Sequence, residues 1–269
     1  MTKWPDLDYL SWRETCSALH LYLQIAGKYR LAHTPWLNHS WNATFYVTPN
    51  GLASSPIPDG PGIEILFDLR EHTVVGTSGN GRHGSFDLGP TTVATFHARF
   101  VRLITELGGT PTFHGRPNEV PYPVPFAEDD RDRPYDRDAV QRFHQALVAI
   151  DRVFNRFRTS FLGKSSPVHL FWGALDLAVT RFSGRRAPLH PAGIPALPDV
   201  VNDVHARGSV RIHDGRLGEH RAHHAQRLRG RWRRTDPDLP RRLDGQVREF
   251  RKLTANDWDQ LAELIVGHQ

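Results

Sequence analysis

The chain has a single cysteine, Cys16, so no disulfide can form within it and a disulfide-stapled secreted domain is excluded. Cys16 falls in an apolar helical stretch, where a lone thiol reads as packing rather than as a nucleophile. No apolar run approaches the roughly 18 residues that suggest a membrane span. The opening MTKWPDLDYLSWRET contains no apolar core of signal-peptide length. These absences make a soluble, cytoplasmic protein with no membrane contact the expectation. Lysine is scarce, at 4 against 30 arginines. A GC-rich gene gives that ratio as readily as a nucleic-acid role does, so no such role is read from it. A nucleophile elbow and a zinc-binding helix motif are also missing, and His33, His39, His169 and His190 are too scattered to suggest a metal site. No metal is expected, and no cofactor can be named.

Charge is present but unevenly spread. The net charge is +5, of which residues 201–269 supply 14 − 10 = +4 and residues 1–200 only 20 − 19 = +1. The body is therefore close to neutral. Residues 205–234 hold nine Arg and five His against two acids, and no strand or helix period is visible there. His220, His223 and His224 would share one helix face, which by itself is weak support for a metal. LTANDWDQLAELIVG near the end reads as a short helix.

Periodicity organises the rest. Trp12, Cys16, Leu19, Leu23 and Ala26 form a helical stripe that Gly27 is expected to end. WNATFYVT (41–48) alternates like a half-buried strand, as do Ile63, Ile65, Phe67 and Leu69. HTVVGT and RHGSFDL flank SGNG, which predicts a hairpin. Val93, Phe96, Phe100, Ile104 and Leu107 return to helical spacing and close at Gly108-Gly109. A proline-rich connector follows. Val140 to Phe161 then predicts a long amphipathic helix, and VHLFWGALDLAVTRF a long strand or strand pair.

Residues 163–165 spell GKS, the end of a phosphate-binding loop. Such a loop needs glycine five residues before its Gly-Lys pair and lies between a strand and a helix. Position 158 is Arg, and Lys164 follows a helix and precedes a strand, so the order is reversed. The better comparison is internal. IAGKYRLAHTPWLNHSWNATFYVT and FLGKSSPVHLFWGALDLAVT share a helix, a Gly-Lys pair, a Thr/Ser-Pro and a tryptophan in the same order. The reading is a weak duplication, in which Gly27-Lys28 and Gly163-Lys164 are both helix C-caps.

Candidate site residues come from these two segments. Asn38, His39 and Trp41 lie in the first. In the second, Asp176 is an acid in an apolar strand and needs a partner. Strand alternation sets it with Trp172 and Thr180, and sets His169 with Arg181 on the other face. Arg181, Arg185 and Arg186 surround Gly184, where guanidinium groups suit a phosphate or carboxylate. A structural ion pair and solvated loop charges are the competing explanations.

TPWLNHSW (34–41), GLASSPIP (51–58) and GKSSPVHLFWGALDLAVTRFSGRRAP (163–188) resemble an uncharacterised bacterial family, domain of unknown function 5996, over roughly residues 4–200. The resemblance supports a fold and implies no chemistry; Trp36, Asn38, His39, Trp172, Asp176, Arg181, Arg185 and Arg186 fall in its characteristic segments. It implies a continuation rich in aromatics, which the basic stretch after residue 200 does not supply. A nucleic-acid-binding arm, a solvated tail and an out-of-frame replacement all fit that departure.

The expectation is an α+β protein of two related halves, each an antiparallel sheet with a long amphipathic helix packed on it. Residues 1–115 form the first half, 116–135 the connector, 136–200 a second half, complete or truncated, and 201–269 an irregular basic tail. Two functions are compatible with this. One is a small-molecule-binding protein or enzyme with an anion-tolerant pocket between the halves. The other is a non-catalytic module that contacts nucleic acid or an acidic partner through the Arg/His-rich tail.

Overall fold

The computed structural model describes residues 5–159, 161–182 and 207–212. Arg185, Arg186, His190, His220, His223, His224 and the terminal stretch expected to be helical lie outside them. Within them three helices pack with antiparallel sheets, which is an α+β fold.

Helix α1 (Tyr9–His33) starts at Asp8, whose carboxylate accepts from the Ser11 N–H at 3.0 Å, a standard N-cap. It stops at Thr34, which precedes Pro35 and is extended at φ −105°, ψ 128°. The expected stop at Gly27 is wrong, because the helix continues through Gly27-Lys28. The glycine serves a close approach instead: a Cβ there would stand 2.4 Å from the ring atoms of Trp172. Glycine inside a helix costs about 1 kcal/mol relative to alanine, and here it admits a whole indole. The second Gly-Lys pair is not a C-cap either, since α3 (Arg137–Thr159) ends before it. Nor is α1 a one-sided helix. Every residue from Ala18 to Arg30 is buried, as expected of a helix running through the middle of a core.

Strands β1 (Tyr46–Val47), β2 (Gly51–Ala53), β3 (Ile63–Asp68), β4 (Thr73–Ser78) and β5 (His83–Asp87) form one antiparallel sheet in chain order. Ile63, Ile65 and Phe67 are its buried face, as their alternation predicts. The β4–β5 hairpin turns through Gly81 at φ 84°. The string Gly79-Asn80-Gly81-Arg82-His83-Gly84 has the glycine spacing of a dinucleotide loop, but it joins strand to strand and offers no helix N-terminus. After β6 (Thr91–Thr92), α2 (Val93–Leu107) runs from a Thr92 cap to Gly108 at φ 89°, the predicted end. Leu103 and Leu107 fill the space over Gly76, and Leu103 also covers Gly84. Phe96 stacks on Tyr22 of α1 at 4.2 Å and on Phe67 of β3 at 6.2 Å, so α1, α2 and the sheet share one core. The connector is docked as well: Phe126 is fully buried, and β7 (Asp132–Arg133) pairs with β6.

Two strand expectations need correction. Residues 38–43 form a 3-10 turn rather than a strand, because His39 and Ser40 both take positive φ, at 64° and 57°. Side-chain alternation cannot register a backbone reversal of that kind. The later apolar run is a pair, β8 (His169–Phe171) and β9 (Asp176–Arg181), turned at residues 172–175, where Leu175 has φ 54°. The register His169↔Ala178 and Phe171↔Asp176 moves His169 onto the face of Asp176 and Thr180. A third strand, β10 (Arg207–Ile212), pairs with β9 in the stretch expected to be irregular. Its signal, Val210 and Ile212 two residues apart, is diluted by arginine and histidine. The two sheets meet at one seam, where Phe45 and Leu170 exchange N–H···O bonds of 2.9 and 2.8 Å. No described helix is long and apolar enough to cross a membrane.

Candidate functional site

The 3-10 turn aims His39 at residues far away in the chain. Its ring lies 4.5 Å from Phe182 and 5.0 Å from Trp41, centroid to centroid. The Lys164 ammonium donates to His39 Nε2 at 3.3 Å, which leaves the proton of the neutral ring on Nδ1. Burial and the charge of Lys164 both lower the His39 pKa, burial contributing more. The same ammonium sits 4.9 Å from the Phe182 ring centre and 5.9 Å from that of Trp41, within cation–π range. His169 closes the group: its ring lies edge-on to Trp41 at 6.3 Å, and its Nδ1–H donates to the Pro167 carbonyl at 2.7 Å. One backbone turn, the seam and the loop before β8 thus gather a neutral imidazole, an ammonium and two aromatic faces. Two consecutive left-handed non-glycine residues are strained conformations that the surroundings must hold.

Asp176 and Arg181 occupy different places. Asp176 is buried at the turn end of β9, opposite Phe171. Arg181 is five residues further on, about 16 Å at strand rise, and the odd spacing puts it on the other face. Its guanidinium lies flat on Phe157, 3.8 Å from the ring centre, and 5.5 Å from that of Phe161. Phe161 in turn lines an open depression of about 450 Å³ together with Asn155, Arg158, Thr159, Gly163 and Ser165. Gly163 and Ser165, the chain neighbours of Lys164, line the depression, while the ammonium itself points to the His39 cluster. The structure therefore unites His39, Trp41 and His169, places Arg181 by the depression, and sets Asp176 at the opposite end of its strand. Asn38 opens the 3-10 turn by its backbone.

Sequence reasoning passed over several functional candidates. The Gly163-Lys164 pair reads as a helix cap in the sequence, and Phe182 carries no signal of its own. The larger omission is inside α1, where His20, Gln24 and Lys28 follow one another at four-residue spacing and are all buried. The Gln24 side chain donates to the Asn118 carbonyl at 2.9 Å and accepts from the Asn118 N–H at 2.8 Å. Lys28 donates to Asn118 Oδ1 at 3.0 Å and lies 5.6 Å from the Trp172 ring centre. Its burial lowers the amine pKa. Arg30, two residues on, is 3% exposed. On the remaining side Tyr29 donates to Asp59 at 2.7 Å, and Asp59 also accepts from the Thr110 N–H at 2.6 Å. These polar residues look like the wet side of a stripe until the whole helix is seen to be enclosed. The available signal was the length of the helical run up to Pro35.

Among the described residues no group of three or more His, Cys, Asp or Glu side chains is placed to hold a metal. No curated protein and no solved structure matches the chain. The residues that build the seam cluster, 36–41 and 163–182, lie within the 4–208 span matched by one family model, and the chain belongs to that family, the family of unknown function DUF5996.

Proposed function

We propose that the protein is a cytoplasmic, bacterial small-molecule-binding protein or enzyme that recognises an anionic ligand at the seam between its two sheets. The observation carrying this is the Lys164–His39 pair, an exposed ammonium and a neutral imidazole resting on Trp41 and Phe182, with the residues on either side of Lys164 lining a depression bordered by Arg158. An ammonium with aromatic walls attracts a carboxylate or phosphate, and a neutral imidazole next to it can accept or relay a proton. Arg181, flat on Phe157 and Phe161, adds a second cation at the rim of the same depression. Reciprocal packing supports two related halves: Lys28 of the first segment lies on Trp172 of the second, and Lys164 of the second on Trp41 of the first.

The test is thermal melting of the full chain against a panel of phosphorylated and carboxylate metabolites. A ligand of this site raises Tm in the wild type and loses most of that effect in Lys164→Ala and in Arg181→Ala. A panel that shifts neither wild type nor variants, together with salt-sensitive binding to nucleic acid, would replace this reading with the basic-tail interaction module.

A further inference from the structure

Another cation, distant in sequence from the exposed Lys164, is buried with no counter-charge among the described residues. Arg30 is 3% exposed, and no carboxylate approaches it among the described residues. Its only hydrogen bonds among the described residues come from Nη1, to the Ser55 hydroxyl at 2.9 Å and the Ser55 carbonyl at 3.3 Å. That carbonyl already accepts from the Ser54 hydroxyl at 2.7 Å, so the hydroxyl is the better partner. Among the described residues Arg30 Nε is buried with no partner, and so is the hydroxyl of Thr34. Thr34 lies one helical turn further on, on the same side of α1. An isolated charge away from water costs several kcal/mol, and buried polar atoms are almost always paired. The guanidinium with its unsatisfied Nε and the unsatisfied hydroxyl of Thr34, one turn away, make two exceptions in neighbouring positions. Burial lowers the Arg30 pKa. The guanidinium stays charged at any physiological pH, so the mismatch is not removed by deprotonation.

We infer that Arg30, Thr34 and Ser55 form an oxyanion site, and that a carboxylate group is what it takes. With Nη1 committed to Ser55, the edge left to a ligand is the one carrying Nε and Nη2. Their two parallel N–H groups match the two oxygens of a planar carboxylate. The hydroxyl protons of Ser55 and Thr34 are both unused in the hydrogen bonds of the structure and complete the donor set. Thr34 and Ser55 are half-buried, so the residues next to Arg30 are partly open to solvent. The covering residue is conformationally unusual as well: Ser55 holds φ 56°. The site belongs to the α1–β2 side of the molecule and stands or falls independently of the Lys164 cluster.

The experiment is a thermal melt of the full chain at constant ionic strength, with chloride replaced stepwise by acetate, by malonate and by inorganic phosphate. In the wild type malonate raises Tm by about 5 °C near saturation and phosphate by less. Arg30→Met melts in chloride at or above the wild-type temperature, because the unpaired charge is gone, and loses the part of the malonate shift that does not depend on Lys164. Ser55→Ala stays folded and needs about tenfold more malonate for the same shift. Lys164→Ala, which removes the carboxylate response of the seam, still shows a malonate shift, and adding Arg30→Met to it abolishes that shift, which separates this site from the seam. Four results would overturn the proposal: a malonate shift in the Lys164→Ala, Arg30→Met double variant equal to that in Lys164→Ala alone; a Tm that drops by many degrees in Arg30→Met when the wild type responds to no anion; phosphate exceeding malonate in Lys164→Ala; or no malonate shift in Lys164→Ala. If Arg30→Met gives no cooperative melt, Ser55→Ala and Thr34→Val decide, since unchanged malonate titrations in both would exclude the site.

Discussion

The dipeptide Gly-Lys occurs at 27–28 and again at 163–164, and the fold gives the two copies opposite treatment. The first sits in the middle of α1, with Gly27 pressed against the Trp172 ring and Lys28 only 4% exposed. The second lies in a loop, where Lys164 is exposed and rests on Phe182 and Trp41. Each lysine meets a tryptophan from the other segment, but one contact is part of the core and the other part of a surface cluster. Local sequence therefore sets the partner type here, and tertiary enclosure sets the role. The comparison can be broken position by position.

The largest effect is expected at Gly27. Its missing Cβ would overlap three atoms of the Trp172 indole at 2.4 Å, including the ring atom nearest the backbone, in a place where the indole is buried. Overpacking a core costs 1–3 kcal/mol, occasionally more. Valine adds two further methyl groups and brings little helix propensity, so Gly27→Val should lose about 3 kcal/mol in denaturant unfolding. Gly163→Ala should change stability by no more than about 0.5 kcal/mol, the usual range for an exposed surface position. A Cβ there meets only the far end of the half-exposed Phe161 ring, at 2.6 Å. Equal losses at the two glycines would erase the distinction.

The same contrast shows how much of the molecule the sequence discloses. Strand β3, the β4–β5 hairpin and α2 with its Gly108 cap are readable because pattern, turn residues and stop signals agree at each of them. The extent of α1 is not, since a helix buried on all sides has no polar face to mark its phase, and Gly27 imitates a terminus. The turn holding His39 is hidden for another reason. Positive φ at a histidine and a serine has no compositional signature, whereas at Gly81 and Gly108 it does. Of the candidate site, His39, Trp41 and His169 were legible as polar or aromatic residues in the right segments. Their meeting with Lys164 depends on the Phe45–Leu170 seam, a contact between residues 125 positions apart that no local rule supplies.

The lysine comparison gives a smaller, pH-dependent effect. Lys28 has a folded pKa below its ordinary 10.5 because burial disfavours the ammonium. Between the folded value and 10.5 the unfolded chain binds more protons, so stability rises with pH across that window. The penalty is fully present below the folded value. Lys28→Met removes the charge and keeps most of the volume, so at pH 7 the variant should equal the wild type or exceed it by about 1 kcal/mol. The gap should narrow as pH approaches 10. Urea unfolding of both proteins at several pH values checks this, and a gap that widens with pH would mean that the bond to Asn118 outweighs the desolvation.

At Lys164 the expected change is in His39 rather than in stability. The Lys164 charge and, to a greater degree, burial hold the His39 pKa below 6.5. Removing the ammonium in Lys164→Ala takes away the smaller of the two causes, so the His39 pKa should rise part of the way back and remain below 6.5. The linkage follows from the sign. In the wild type the unfolded chain takes up the histidine proton first as pH falls through 6.5, so His39 favours unfolding progressively below that pH. Lys164→Ala should be less acid-sensitive in that interval while matching the wild type at pH 8 within about 0.5 kcal/mol, because exposed cation–π contacts are worth little more. Proton NMR titration of the His39 ring in both proteins measures the shift directly. An unchanged titration would mean that Lys164 does not hold its position over His39 in solution, and the seam cluster would then lose its cation.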